Sequence, residues 1–368
     1  MIIRGDKVNK KITYILVFAI FVFALSGCTN KTSYTRYTET FFDTFDTVVQ
    51  IVGYTETEEE FRNYTKIMND RMLELHKLYD RYNDYEGINN IKTINDNAGI
   101  KPVKVDKEII DLIKFSKEMY FKNKQRTNIA FGSVLDVWAK YRNEAESDPE
   151  NARIPSMEEL QAANEHTDIN KVIIDEINST IYLEDPNMRL DVGAVAKGYA
   201  TEIVVEEIKK EGFNSFIMSS GGNVKAVGKP LDGSKDKWGI GIQDPNKDIF
   251  TDDNKILDTV FINDLSVVSS GDYQRYYVVD GERMHHIIDP DTLMPATYYR
   301  ALTVITPNSG EADFYSTEAF LLPFEESKKL VESIDGLEAI WVFPDGSVQM
   351  TDGYMKLSKT YGNATSNN

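Results

Sequence analysis

Two spacings of apolar residues run along the chain. Between residues 56 and 82, Phe61, Ile67, Met68, Met72, Leu75 and Leu78 recur at threes and fours, which predicts a helix with one buried face. The same period predicts helices over 109–122, over 133–142 (Val134, Val137 and Trp138 on one face), over 316–322 and over 326–334. The clearest helix covers 191–211, with Val195, Tyr199, Ile203, Val204 and Ile208 apolar and Gly212 as its stop. β-Branched and aromatic runs predict strands over 41–52, 216–218, 238–243, 257–269 and 301–306. Paired runs around Asn178-Ser179, Asp280-Gly281 and Asp345-Gly346 predict hairpins, and polar residues 144–155 read as a loop. Helices and strands mix without strict alternation, so the fold class is α+β, mixed sheets with flanking helices.

The N-terminus departs from this pattern. Arg4, Lys7, Lys10 and Lys11 make a basic start, and Ile12 through Leu25 is a nearly unbroken apolar run. At about 14 residues it is short for a bilayer span and suits the core of a secretion signal. Small residues Ser26 and Gly27 then precede Cys28, the only cysteine in the chain. A single thiol forms no internal disulfide; this one stands where a bacterial lipoprotein is cleaved and lipidated. The expectation is a leader over 1–27, a lipid on Cys28, a polar tether over 28–40, one folded domain over 41–350 and a C-terminal tail over 351–368. The chain would then sit on the extracytoplasmic face of the cell membrane.

Composition narrows the partners. Of the residues, 41% are hydrophobic, enough for a packed domain, and the net charge is −18. That balance excludes nucleic acid as a partner. An anionic ligand would need a local cation or aligned N–H groups.

Four segments carry groups suited to such a ligand. In Asp191-Val-Gly-Ala-Val-Ala-Lys-Gly-Tyr199, small residues at a strand-to-helix junction permit close backbone approach, and a helix start with Lys197 favours phosphate. A helix merely capped by Asp191 uses the same residues. Gly221-Gly222, after a strand, allows positive φ and close contact, or only a tight turn. His285 and His286 are strand neighbours and point to opposite faces, so one of them can face a cleft. His286 suits a general base or a phosphate contact; a surface pair is the plain alternative. Asp313 and Thr317 are four apart, on one helical face, and their oxygens suit a hard cation such as Mg²⁺, with Ser316 as a further oxygen. An N-terminal helix cap would explain them as well.

In order, these segments resemble the ApbE family of FAD:protein FMN transferases: Asp-x-Gly-Ala-x-Ala-Lys-Gly-Tyr, Gly-Gly-Asn, Ser-Gly-Asp-Tyr-x-Arg, His-His-Ile-x-Asp-Pro-x-Thr and Ala-Asp-x-x-Ser-Thr. The resemblance runs from about residue 41 to 343 and implies an ApbE-like, T-fold-related architecture. It implies that Asp191 and Lys197 contact FAD, and that Mg²⁺ is held by the Ala194 carbonyl, Asp313 and Thr317. It also places His286 and Ile287 against the flavin nucleotide, with His286 as the proton-transfer candidate beside the catalytic Asp313. Thr127, Asn128 and Ile129 replace a Phe-Asp-x-Thr-x-Gly-Pro stretch, with Asn128 for Asp and Ser133 for Pro. Phe45 stands for a usual Met, ahead of Asp46 and Thr47, and Gly221 and Gly222 precede Asn223 where relatives often carry Asp. The implied activity is Mg²⁺-dependent transfer of FMN from FAD, the substrate, to a Thr (or Ser) hydroxyl of an acceptor flavoprotein, releasing AMP. The chain has no Asp-Gly-x-Thr-Gly-Ala-Thr-like motif of its own, so the acceptor is another protein, by resemblance a membrane or surface electron-transfer protein with a Thr-containing motif. Two rival readings are an FAD pyrophosphatase and a surface lipoprotein that only binds flavin.

Overall fold

The computed structural model describes residues 33–247 and 255–367, and from Thr35 onward they form one compact unit. The leader and Cys28 lie outside the described residues. Among those residues no helix is long and apolar enough to cross a membrane.

The frame is an antiparallel sheet of eight strands. Its spatial order is β1 (Thr35–Thr44), β2 (Thr47–Thr55), β6 (Phe216–Ser220), β7 (Asn223–Val227), β10 (Ser266–Gly271), β13 (Ala301–Thr306), β14 (Glu338–Val342) and β15 (Val348–Met350). All six residues of β13, Thr303 and Thr306 included, are buried: both faces of the sheet are covered. On one face, Val268, Val304, Ala339 and Trp341 join the main core with the helices. On the other, Ala226, Val267, Ile305 and Ile340 pack against the hairpin of β8 (Trp238–Gln243) and β9 (Ile256–Ile262).

The helices α1 (Glu58–Tyr79), α2 (Ile91–Asp96), α3 (Lys107–Lys122), α6 (Ala196–Lys210) and α7 (Ser309–Phe320) contribute to the main core. In α1, Phe61, Met68, Met72 and Leu75 are at most 1% exposed, as their spacing predicts, but Ile67, counted on the same face, is 47% exposed. The small sheet β3 (Val103–Lys104), β5 (Thr180–Leu183) and β4 (Val172–Asp175) closes that side. A satellite core joins α4 (Gly132–Ser147) and α5 (Met157–Asn164) to the hairpin of β11 (Tyr276–Val279) and β12 (Glu282–His285) through Trp138, Leu160, Tyr277 and Ile288. Helix α8 (Phe324–Glu332) follows α7.

Several boundaries differ from the expectation. The run 41–52 is not one strand: β1 starts at Thr35, inside the stretch read as tether, and turns back at Phe45 and Asp46 (φ 52° and 50°). The run 257–269 breaks at Asp264 (φ 54°), so its halves enter different sheets. Residues 144–155 are helical as far as Ser147. The expected tail instead folds as α9 (Asp352–Leu357) and α10 (Lys359–Gly362), because fully buried Tyr354 donates to the buried carboxylate of Asp258 at 3.0 Å.

Candidate active site

Helix α6 begins at Ala196, not at Asp191, so 191–195 form a turn leading into it. Asp191 therefore caps nothing: its Oδ1 accepts from Gly193 N at 2.8 Å, and its Oδ2 pairs with Arg81. Arg81, just past α1, has 8% of its side-chain surface exposed and also pairs with Asp136 of α4. Burial alone would raise the pKa of Asp191; Arg81 and the Gly193 N–H outweigh it and hold the carboxyl below its ordinary range.

One turn into α6 the chain meets α7. Asn308 caps α7 by accepting from Glu311 N at 3.0 Å, so Asp313 lies in its second turn and Thr317 one turn later on the same face. Asp313 is 5% exposed, and its Oδ2 accepts from Gly198 N at 2.7 Å. The Lys197 ammonium lies 3.9 Å from the same oxygen and 3.5 Å from the Gly193 carbonyl. Burial pushes the Asp313 pKa up, against the pull of Lys197 and the Gly198 N–H. Gly198 is required by contact: a Cβ there would come within 2.2 Å of Ser309 O and 2.6 Å of Asp313 Cβ. Gly198→Ala is expected to lower stability by about 1–3 kcal/mol, the usual cost of overpacking. A thermal unfolding midpoint equal to wild type would refute this.

The two histidines part at the end of β12: His285 is its last residue, and His286 lies just past it in a bend. Buried His285 donates from Nε2 to Ala296 O (2.7 Å) and accepts Ile287 N at Nδ1 (3.2 Å), so it is structural. His286 is only partly buried, with its Nδ1 3.3 Å from the Arg275 carbonyl. A carbonyl only accepts, so the proton sits on Nδ1 and Nε2 keeps its lone pair. His286 retains some accessible surface, but packing around the ring, together with His285, Arg275 and Lys197, depresses its pKa to about 3. Ile287 is 7% exposed and belongs to the main core.

Two glycine-bearing and aromatic turns adjoin. Gly221 (φ 54°) donates to Val48 O at 3.2 Å, and a Cβ on it would collide with Thr47 Oγ1 at 1.9 Å. Gly222 (φ 92°) faces the Gln274 amide. Phe45 donates its N–H to His76 Nδ1 at 3.2 Å and packs on the His76 ring (5.5 Å). The 127–129 segment meets Asp191 directly, through Asp191 N to Ile129 O at 2.8 Å. Within it, Asn128 is spent on structure, accepting from Ala130 N and donating to Thr167 O, both at 2.8 Å. Ile129 is core, and the Thr127 side chain is buried beside the Glu318 carboxylate.

The structure thus brings Lys197 and Asp313 together at the α6–α7 contact, with Asp191 and Ala194 in the preceding turn and His286 within electrostatic reach of Lys197 and Asp191. Sequence reasoning missed Arg81, Asp136 and Glu318. The Glu318 carboxylate is fully buried and gathers the N–H groups of Lys124, Arg126 and Thr127, which shapes the 127–129 loop. None of these lies in a spaced motif. Only the acidic residue on an otherwise buried face of α7 hinted at Glu318.

Among the described residues no three His, Cys, Asp or Glu side chains cluster as a metal cage. One carboxylate, one hydroxyl and one backbone carbonyl nonetheless fit Mg²⁺, which binds through one or two carboxylates and completes its shell with water and substrate phosphate. Of that set, Asp313 already has a cation beside it: the Lys197 ammonium lies between its Oδ2 and the Gly193 carbonyl. A buried carboxylate with a lysine beside it, within electrostatic reach of an imidazole, is suited to an anionic ligand and its counter-cation.

Comparison with known proteins agrees. The ApbE family pattern matches residues 45–341. A FAD:protein FMN transferase of Klebsiella pneumoniae is 30% identical over 72% of this chain and 80% of its own length. One of Treponema pallidum is 30% identical over 72% and 73%. The crystal structure of the ApbE protein of Thermotoga maritima superposes with a TM-score of 0.73, at 26% identity over 88% of this chain and 99% of that one. The chain belongs to the ApbE family.

Proposed function

We propose that this chain is an FAD:protein FMN transferase. In this reading it moves FMN from FAD to a threonine or serine hydroxyl of an acceptor flavoprotein and releases AMP, in a Mg²⁺-dependent reaction. The observation that carries it is the Asp313 carboxylate, buried against Gly198 N and beside Lys197, in a chain whose relatives bear that activity. Asp313, Thr317 and the Ala194 carbonyl would hold Mg²⁺, which would offset the diphosphate charge. Lys197 adds fixed positive charge at the same point, and the Asp191–Val195 turn brings backbone close to the phosphates. His286 Nε2 takes the proton of the attacking hydroxyl; the oxygen bonds to the FMN-side phosphorus, and the bond to the bridging oxygen breaks toward AMP.

With its pKa near 3, His286 stays neutral through the physiological range. Its kcat/KM profile is therefore expected to be flat from pH 5 to 8 as far as this group is concerned. An inflection near 6.5 that disappears in His286→Gln would refute the assignment. The depressed folded pKa also contributes stability that is full above the unfolded value of 6.5 and is lost as pH falls toward 3.

Incubation with FAD, Mg²⁺ and a candidate surface flavoprotein, read by mass spectrometry for added FMN on threonine, tests the transfer. AMP release that needs no acceptor would favour hydrolysis instead, and FAD bound but uncut would favour a capture protein. The apolar run before Cys28 supports anchoring of the chain by lipid on the extracytoplasmic face. An unmodified Cys28 in the mature protein would overturn that part.

A further inference from the structure

Behind Asp313 lies a buried polar network whose Lys225, Glu202 and Ser309 take no part in the chemistry above. On α6, Gly198 and Glu202 are one turn apart; on α7, so are Ser309 and Asp313. Gly198 N binds Asp313 at 2.7 Å, and Glu202 Oε2 accepts from Ser309 N, also at 2.7 Å. The two helices are thus clasped at two successive turns. Strand β7 supplies the backing. Lys225, 6% exposed, bonds Glu202 (3.1 Å) and the Pro307 carbonyl (2.5 Å), the residue leading into α7. Two positions earlier on the same strand face, Asn223 accepts Ser309 Oγ at 2.7 Å. That bond orients its amide, whose buried Nδ2 lies beside Gly198, where a Cβ would be 2.8 Å away, and faces the Asp313 carboxylate, whose pKa it helps to lower.

We infer that Lys225, Glu202 and Ser309 are positioning residues for the cation site: they set the height of α7 against α6, and so the place of the Asp313 carboxylate and the direction of the Asn223 amide. The inference rests on the Mg²⁺ reading of Asp313. Its physical basis is that a buried ion pair is weak evidence for stability, while it fixes geometry where its hydrogen bonds are directional. A metal ligand left a fraction of an ångström out of place loses affinity before the fold fails.

The test uses the full chain with Ser309→Ala, Lys225→Met and Lys225→Arg. Mg²⁺ binding in the presence of FAD is followed by calorimetry and by the Mg²⁺-dependent rise in thermal midpoint, alongside FMN transfer. Ser309→Ala, which leaves the buried Asn223 Oδ1 without its donor, should lower the metal-free midpoint modestly, stay folded, and weaken Mg²⁺ binding about tenfold, within the range for residues that orient metal ligands. Its KM for FAD should change less. Lys225→Met should weaken Mg²⁺ binding at least as much, and Lys225→Arg should recover part of it. If Ser309→Ala binds Mg²⁺ like wild type, or Lys225→Met loses activity only in step with its midpoint, the network is merely structural and the inference falls. If wild type itself neither binds Mg²⁺ nor depends on it, the reading of Asp313 fails instead.

Discussion

Asp313→Ala is expected to cut FMN transfer by about 10²–10³-fold, the usual loss when a group stabilising transition-state charge is removed, while the protein stays folded. The reason lies in what the carboxylate does in the free chain. Burial raises its folded pKa above the ordinary 3.8. A carboxyl raised in this way contributes stability below its unfolded pKa and loses it as pH rises through the folded value. At neutral pH the ionised Asp313 is therefore a cost, offset in part by Lys197 and the Gly198 N–H. Alanine removes that cost but strands the buried N–H, worth about 1–3 kcal/mol. The two effects oppose, so the midpoint moves little while activity collapses. A variant that still transfers FMN at the wild-type rate with trace Mg²⁺ would exclude Asp313 as a ligand.

Arg81→Ala should damage stability and activity together. Removing one partner of a buried pair costs about 3–5 kcal/mol; about 3 is expected here, because Asp191 keeps 18% of its side-chain surface. Asp136, 46% exposed, adds little. With Arg81 in place, the lowered pKa of Asp191 gives stability that is full above pH 3.8 and lost as pH falls further. Without Arg81, burial wins, and Asp191 should titrate above its ordinary value. Its pull on the 191–195 turn, and on the 129–191 backbone contact, should weaken with it. Urea unfolding at pH 7 and FAD titration check both; wild-type stability with wild-type FAD affinity would show the pair to be dispensable.

Local chemistry settled much of the fold by itself. Helix α1 follows from apolar residues at threes and fours, and the β11–β12 turn from Asp280-Gly281, where both residues take positive φ (51° and 85°) that this pair adopts at low cost. The Asp313–Thr317 face follows from a four-residue spacing that survives the longer helix. The misses share a cause. The β1–β2 turn uses Phe45 and Asp46 at positive φ, without a glycine to announce it; contacts of Phe45 with His76 and Tyr79 hold it there. The start of α6 slipped five residues because Asp191 is drawn to Arg81, 110 residues away, and not to its own helix.

The same division holds for the site. The residue order identifies which side chains carry the chemistry, since spacing within a helix or strand fixes the face each one occupies. Which of the two histidines stays accessible, why Gly198 cannot bear a side chain, and which cations and amides surround Asp313 depend on contacts between segments far apart in the chain. No local pattern encodes those contacts; they exist only once the core has brought α6, α7 and β7 together.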